Sequence, residues 1–440
     1  MLDSAIPHFP GDFVWGAATS AYQVEGAVTA GGRGRSTWDT FAETPGKTRS
    51  GDTGEHACDH YHRYPEDIAL MRELGLDSYR FSIAWPRIQP DGRTLSREGL
   101  GFYDRLLDTL CSYGLAPMAT LYHWDTPQVL EDEGGWLNRD TALRFADYAA
   151  VLTEAFADRV ALWVPLNEPA MITLLGYGVG QHAPGQTLLF DALPTAHHQL
   201  LAHGLAVRAL RAGGATAVGT ANNHTPVWTA DDRPETLAAA AAYDALHNRL
   251  FADPVLLGRN PEHLGIEIPA EDLAVIAEPL DFYGVNYYNP TRIAAPSEGN
   301  PMPFDLADIA EHPKTLMGNP IVPDGLRELL VQLRERYADR LPPVYITENG
   351  ASFAEDLGPD GAVHDQPRVD FLREHLTALR AAVDAGVDVR GYYVWSLLDN
   401  FEWAEGYGQP FGLVHVDFQT QVRTPKDSFR WLQGQLDRRG

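Results

Sequence analysis

Two glutamates sit in sequence settings of the same kind. Glu168 follows Leu162-Trp163-Val164-Pro165-Leu166-Asn167 and precedes Pro169, while Glu348 follows Val344-Tyr345-Ile346-Thr347 and precedes Asn349-Gly350. Each setting is an apolar run that reaches a polar residue, then a carboxylate, then a residue that disfavours continuation. That pattern reads as a buried strand ending in a loop with an acid at its tip. Two carboxyls brought to one site suit cleavage of a glycosidic bond, because one can protonate the leaving oxygen while the other faces the anomeric carbon. Glu348 is the candidate nucleophile. A separation of about 5–5.5 Å would let it form a covalent intermediate and give retention, whereas roughly 6.5–9.5 Å would admit a water and give inversion.

A nucleophilic carboxylate must stay ionised, which a nearby cation or hydroxyl donor favours. Arg80 is a basic residue inside the apolar run Tyr79-Arg80-Phe81-Ser82, where an unpaired charge would be expensive. Tyr288 ends the run Val285-Asn286-Tyr287-Tyr288. Both are candidate partners of Glu348. Sugars are held by planar hydrogen-bonding groups against their hydroxyls and by aromatic faces against their C–H patches, and the stretch from Val394 to Trp403 supplies both kinds. Within it, Trp395 is a candidate pocket floor, and Glu402 with Trp403 are candidate readers of hydroxyls.

Residues so far apart in sequence need a scaffold to converge. Eight β-rich runs, 13–20, 78–84, 116–123, 162–168, 217–223, 282–288, 344–350 and 390–396, alternate with helical patterns. Most are near-continuously apolar, as expected of parallel strands covered on both faces. Helices are expected after them at 96–113, 138–157, 192–212, 235–251, 323–338, 366–385 and 425–436, and one is expected to begin near Pro65 and stop at Gly75. No linker interrupts the alternation, which predicts one α/β domain over residues 1–440, a (β/α)8 barrel. Long Pro- and Gly-rich segments at 31–54, 289–319 and 399–424 follow strand ends, where such a barrel keeps its active-site loops. Gln23, Glu25, His123, Trp124, Asn167, Asn223 and Tyr288 fall at or after strand ends in the same way, alongside the glutamates.

Composition narrows the function further. With 44% hydrophobic and 21% charged residues, the 440-residue chain can bury a large core, and no run approaches the length of a membrane span. A formal charge of −26 repels phosphate backbones and anionic lipid heads, which favours a small neutral substrate over nucleic acid or membrane. Residues 1–11 lack the pattern of a secretory signal, and two cysteines, Cys58 and Cys111, make no disulfide framework; both fit a cytoplasmic protein. The cluster His56-Ala57-Cys58-Asp59-His60-Tyr61-His62 has ligand-like residues, with His56 and His60 one turn apart if helical. It lies before the second strand rather than at a strand end and lacks further ligands at suitable spacing, so no metal is expected. No Gly-rich turn marks a nucleotide site, and no cofactor is indicated.

These residues resemble glycoside hydrolase family 1, the family of β-glucosidases and β-galactosidases. The resemblance runs from Phe13 to about Leu432. It is carried by Phe13-Val14-Trp15-Gly16-Ala17-Ala18-Thr19-Ser20-Ala21-Tyr22-Gln23-Val24-Glu25-Gly26, Tyr122-His123-Trp124-Asp125, Asn167-Glu168-Pro169 and Thr347-Glu348-Asn349-Gly350, in that order. It implies a retaining, exo-acting enzyme on a TIM barrel, with Glu168 as acid then base and Glu348 as nucleophile. It further implies that Gln23, His123, Trp124, Asn167, Asn223, Glu402, Trp403 and Phe411 bind substrate, that Trp395 packs under the ring, and that Asn286 and Tyr288 support the nucleophile side. Glu168 is then expected to be protonated and Glu348 ionised near neutral pH, with a bell-shaped rate profile.

A β-glucosidase acting on β-glucosides or cello-oligosaccharides, with some β-galactosidase or β-fucosidase activity, is the reading that follows. The alternatives are a 6-phospho-β-glycosidase, disfavoured because Glu402 is kept and Gly408-Gln409-Pro410 lacks the Ser and Lys of that branch, and a non-catalytic sugar-binding barrel. Three positions depart from the family pattern. Asn319 follows Met317-Gly318 where a Trp is common, which predicts weaker discrimination for flat aromatic aglycones. Pro165 replaces a common Thr and predicts a local irregularity next to Glu168, and His56 replaces an apolar residue.

Overall fold

The computed structural model describes residues 5–439 apart from 263 and 265. Each of the eight apolar runs contains a parallel strand of one sheet, to within a residue at its start in the last: β1 Val14–Ala18, β2 Ser78–Ser82, β3 Ala116–Tyr122, β4 Leu162–Leu166, β5 Ala221–Asn223, β6 Tyr283–Asn286, β7 Val344–Asn349 and β8 Val389–Trp395. The ladder runs β4-β3-β2-β1-β8-β7-β6-β5, and the bridges Trp163↔Val218 and Asn167↔Ala221 join its two ends into a barrel. The register moves by one residue between those two bridges, across Pro165, which has no N–H to give the ladder. That is the irregularity expected beside Glu168.

Besides shorter helices in several of the loops, a main helix follows each strand: α1 His60–Leu74, α2 Arg97–Ser112, α3 Asp140–Phe156, α4 Leu193–Ala212, α5 beginning Pro234–Asp244, α6 Pro323–Tyr337, α7 Gln366–Asp384 and α8 Asp427–Leu436. The largest apolar cluster lies between these helices and the outer faces of the strands. Inside the barrel, Ala18, Met118, Val164, Ala221, Phe282 and Tyr393 pack beneath Trp395 and Phe411. The barrel interior is therefore filled, and the site must lie above it, where the strands end.

Two helices differ from the sequence reading. α1 starts at His60, so Pro65 lies inside it rather than at its first turn. The extra turn is held by tertiary bonds: Cys58 N–H donates to Val24 O, and Tyr61 N–H to Glu25 O. His56 precedes the helix, and Ala57 and Asp59 are left-handed (φ 42° and 50°), so His56 and His60 do not share a helical face. The His60 ring pairs with Asp67 and the His62 ring with Asp59. The expected helix at 235–251 is also not uniform. Its α-helical start gives way to a π-helical turn, Ala245–Arg249, before continuing as Leu250–Leu257. The wider turn buries His247, Asn248 and Arg249 in succession, and such turns occur often at functional sites.

Candidate active site

A cavity of about 790 Å³ opens where the strands end. Of the predicted site residues, His123, Trp124, Glu168, Asn223, Tyr288, Glu348, Trp395, Glu402, Trp403 and Phe411 line it. Gln23, Arg80, Asn167 and Asn286 lie behind this lining, fully buried or nearly so, with their polar ends engaged by protein groups. Trp124, Glu168 and Trp403 have left-handed backbones (φ 78°, 45° and 50°) although none is glycine. Such a conformation costs roughly 1–3 kcal/mol, so the surrounding packing holds these three side chains against their backbone preference.

The two candidate catalytic glutamates are provided with different donors. Arg80 Nη1 donates to Glu348 Oε1 at 2.6 Å, and the Tyr288 hydroxyl donates to Oε2 at 2.6 Å, so each oxygen of Glu348 faces a strong donor. The same Arg80 Nη1 reaches Thr347 O, and its Nη2 donates to Asn167 Oδ1 at 2.6 Å. Among the described residues, the donors to Glu168 are amides: Asn286 Nδ2 at 2.7 Å and Asn223 Nδ2 at 3.2 Å, both on Oε1. Asn286 thus serves Glu168 and not the nucleophile side. Its Oδ1 is taken by the Thr347 hydroxyl at 2.6 Å, which turns its NH₂ toward Glu168 and Asn167.

Burial pushes Glu168 up to about 8; the charge of Glu348 adds to this, while Asn286, Asn223 and Arg80 oppose it. Glu402 is also pushed up to about 8, by burial and then by Glu348 and Glu168, with Gln23 opposing. His123 is held well below the usual imidazole range by burial and by Arg80, so the ring is neutral. Its Nε2 accepts from Asn167 Nδ2 at 3.1 Å, and its buried Nδ1 has no partner among the described residues. The His123 ring stacks at 5.9 Å on both Trp395 and Trp403, which builds one continuous aromatic wall. Phe411 meets Tyr288 edge-on at 6.4 Å across the cavity lining.

A buried carboxyl that holds its proton near neutrality, beside a second with a guanidinium and a phenol on its oxygens, can give a proton at one atom and present an electron pair at another. Similarity to known proteins agrees with that chemistry. The model of glycosyl hydrolase family 1 matches residues 6–440. The chain belongs to glycosyl hydrolase family 1. It is 44% identical to β-glucosidase A of Acetivibrio thermocellus over 98% of this chain and 99% of that one. It is 44% identical to a bifunctional β-D-glucosidase/β-D-fucosidase of Bifidobacterium breve over 97% of each. The crystal structure of a psychrophilic β-glucosidase, BglU, from Micrococcus antarcticus superposes with a TM-score of 0.95 at 46% identity, covering 98% of both chains. This family 1 glycoside hydrolase is a TIM barrel.

Several lining residues of the hydrolase were not singled out from sequence. Lys47 lies 5.3 Å over the Phe41 ring, His182 packs against Trp124 at 5.5 Å, and His247 contacts Asn223. They come from loops and from the π-helical turn, where no strand end announces them. Met317 and Asn319 also line the cavity, which puts the family departure at Asn319 within reach of a bound substrate. Among the described residues, no group of three or more His, Cys, Asp or Glu is placed to hold a metal, and no helix is long and apolar enough to cross a membrane.

Proposed function

We propose that this chain is a retaining, exo-acting β-glucosidase that removes the non-reducing-end sugar from β-glucosides or cello-oligosaccharides, with side activity on β-galactosides and β-fucosides. The observation that carries the reading is the unequal provisioning of two buried glutamates in one cavity. In the first displacement Glu348 attacks the anomeric carbon as Glu168 passes its proton to the departing oxygen, leaving a glycosyl ester on Glu348. Glu168, now anionic, takes a proton from a water whose oxygen bonds to the anomeric carbon as the ester bond to Glu348 breaks, so the sugar leaves with its β configuration and Glu348 returns to carboxylate. Arg80 and Tyr288 orient Glu348 and receive the charge that returns to it. Trp395 lies under the ring, while His123, Glu402 and Trp403 face its hydroxyls.

A neutral glycon fits the electrostatics. A sugar phosphate would enter a lining that holds Glu168, Glu348 and Glu402 and in which, among the described residues, Lys47 is the sole lysine or arginine. We place the enzyme in the cytoplasm as one catalytic domain spanning 1–440, where Cys58 and Cys111 remain free thiols. Turnover of 4-nitrophenyl β-glucoside, β-galactoside, β-fucoside and β-glucoside 6-phosphate tests the assignment. The glucoside is expected to be cleaved well, the fucoside and galactoside less so, and the phosphate hardly at all. Preference for the phosphorylated sugar, or no hydrolysis of any of the four, contradicts it.

A further inference from the structure

A hydrogen-bond path reaches Glu168 from a residue outside every sequence motif. Asn223 Nδ2 donates to Glu168 Oε1 at 3.2 Å, and Asn223 Oδ1 lies 3.1 Å from His247 Nε2. His247 belongs to the π-helical turn Ala245–Arg249, is 9% exposed and lines the cavity. Its ring stacks on Tyr243 with centroids 5.4 Å apart and planes 14° apart, and Tyr243 in turn meets Phe304 edge-on at 5.0 Å. The imidazole plane is therefore set by packing, with Nδ1 facing the Tyr243 hydroxyl at 3.5 Å. Burial, with a smaller push from His224, takes the imidazole down to about 3, so the ring is neutral and has one N–H.

A neutral ring bonded to an amide oxygen must carry its proton on the nitrogen that faces that oxygen. An Asn amide can turn over with little change of shape, and its two ends act oppositely on a carboxyl. The NH₂ end stabilises the anion, whereas the oxygen end favours the protonated acid. A donor at Nε2 holds Asn223 with its oxygen toward His247 and its NH₂ toward Glu168. The other groups that bear on Glu168 are Glu348, which favours the neutral form, Glu402 and Tyr288, whose negative forms would favour it too, and Asn286 and Arg80, which favour the anion.

We propose that His247 is a positioning residue for the acid/base group: by fixing the orientation of Asn223 it keeps an N–H on Glu168 and limits how strongly Glu168 retains its proton. The proposal rests on Glu168 being the acid/base. It explains how one carboxyl can be protonated for the first displacement and anionic for the second. The interaction of Asn223 with the anion opposes burial and the charge of Glu348, and His247 keeps that interaction available in both halves of the cycle.

The test is the pH dependence of kcat/KM for 4-nitrophenyl β-glucoside in the parent, Glu168→Gln, His247→Phe, His247→Gln, Asn223→Ala and the His247→Phe/Asn223→Ala pair. In His247→Phe the alkaline limb is expected to move up by roughly half a pH unit or more. In His247→Gln, whose amide N–H can replace Nε2–H, the limb is expected to stay near that of the parent. His247→Phe is expected to add nothing once Asn223 is Ala. An unmoved limb in His247→Phe, or an equal shift with and without Asn223, overturns the positioning role. Persistence of the limb in Glu168→Gln overturns the acid/base assignment instead. Histidine-selective ¹⁵N labelling of the unmutated protein, assigned by the signal missing from His247→Gln, gives a reading that needs no stable Phe variant. A neutral Nε2–H ring between pH 5 and 8 supports the proposal, and an Nδ1–H ring overturns it.

Discussion

Glu168, Glu348 and Glu402 share one cavity, and what separates them is the company each keeps. Glu348 has a guanidinium and a phenol; Glu168 has two amides; Glu402 has Gln23 Nε2 at 3.3 Å. Replacing Glu348 with Gln preserves shape and removes the proposed nucleophile, so turnover is expected to fall by roughly 10⁴-fold or more with the far-ultraviolet circular dichroism unchanged. Substantial remaining activity in a homogeneous preparation would remove Glu348 from the mechanism. The proton on Glu168 sets a second expectation. Because burial and Glu348 push this carboxyl up to about 8, the acid form that the proposed first displacement needs is abundant at pH 7 and is lost as pH rises through about 8. The alkaline limb of kcat/KM is therefore expected near pH 8 and is expected to disappear in Glu168→Gln. A rate that does not fall between pH 7 and 9 contradicts this.

At the scale of elements, the loops after the strands set what the site accepts beyond the reacting sugar. Asn319, in the long segment after β6, lines the cavity with Met317 and offers no aromatic face. Asn319→Trp is expected to raise the ratio of kcat/KM for aryl over alkyl β-glucosides about threefold to tenfold, by adding a stacking surface. An unchanged ratio would remove Asn319 from selection of the leaving group. The same loops show what sequence can and cannot disclose. The eight strands were legible because buried parallel strands read as apolar runs, and Glu168 and Glu348 were legible because each run ends on its acid. Asn286 was legible as a site residue, but its partner was not: which glutamate it serves depends on the Thr347 hydroxyl occupying its oxygen. Lys47, His182 and His247 gave no local signal, since their place in the cavity depends on long-range packing. The start of α1 was obscured for a related reason: Pro65 looks like a helix start until Val24 and Glu25 receive the N–H groups of Cys58 and Tyr61.

For the molecule as a whole, the site is a place where stability is given up for chemistry. Glu402, buried and pushed up to about 8, keeps its proton in the folded state over a range where the unfolded chain, near the ordinary value of 4.5, has released its own. The folded state binds more protons in that window, so this group makes stability fall as pH rises from about 4.5 to 8. Gln at 402 does not titrate. The difference in Tm between Glu402→Gln and the parent is thus expected to be more positive at pH 8 than at pH 5, by about 4 °C; a difference that does not change with pH would mean that Glu402 titrates alike in both states. Retention requires that the barrel bring Glu168 and Glu348 to one anomeric carbon. Proton NMR of an aryl β-glucoside digest, recorded before the released sugar mutarotates, tests it most directly. β-Glucose is expected to appear first, as two displacements through Glu348 require. α-Glucose appearing first would mean a single displacement by water, and the assignment of Glu348 as nucleophile would be wrong.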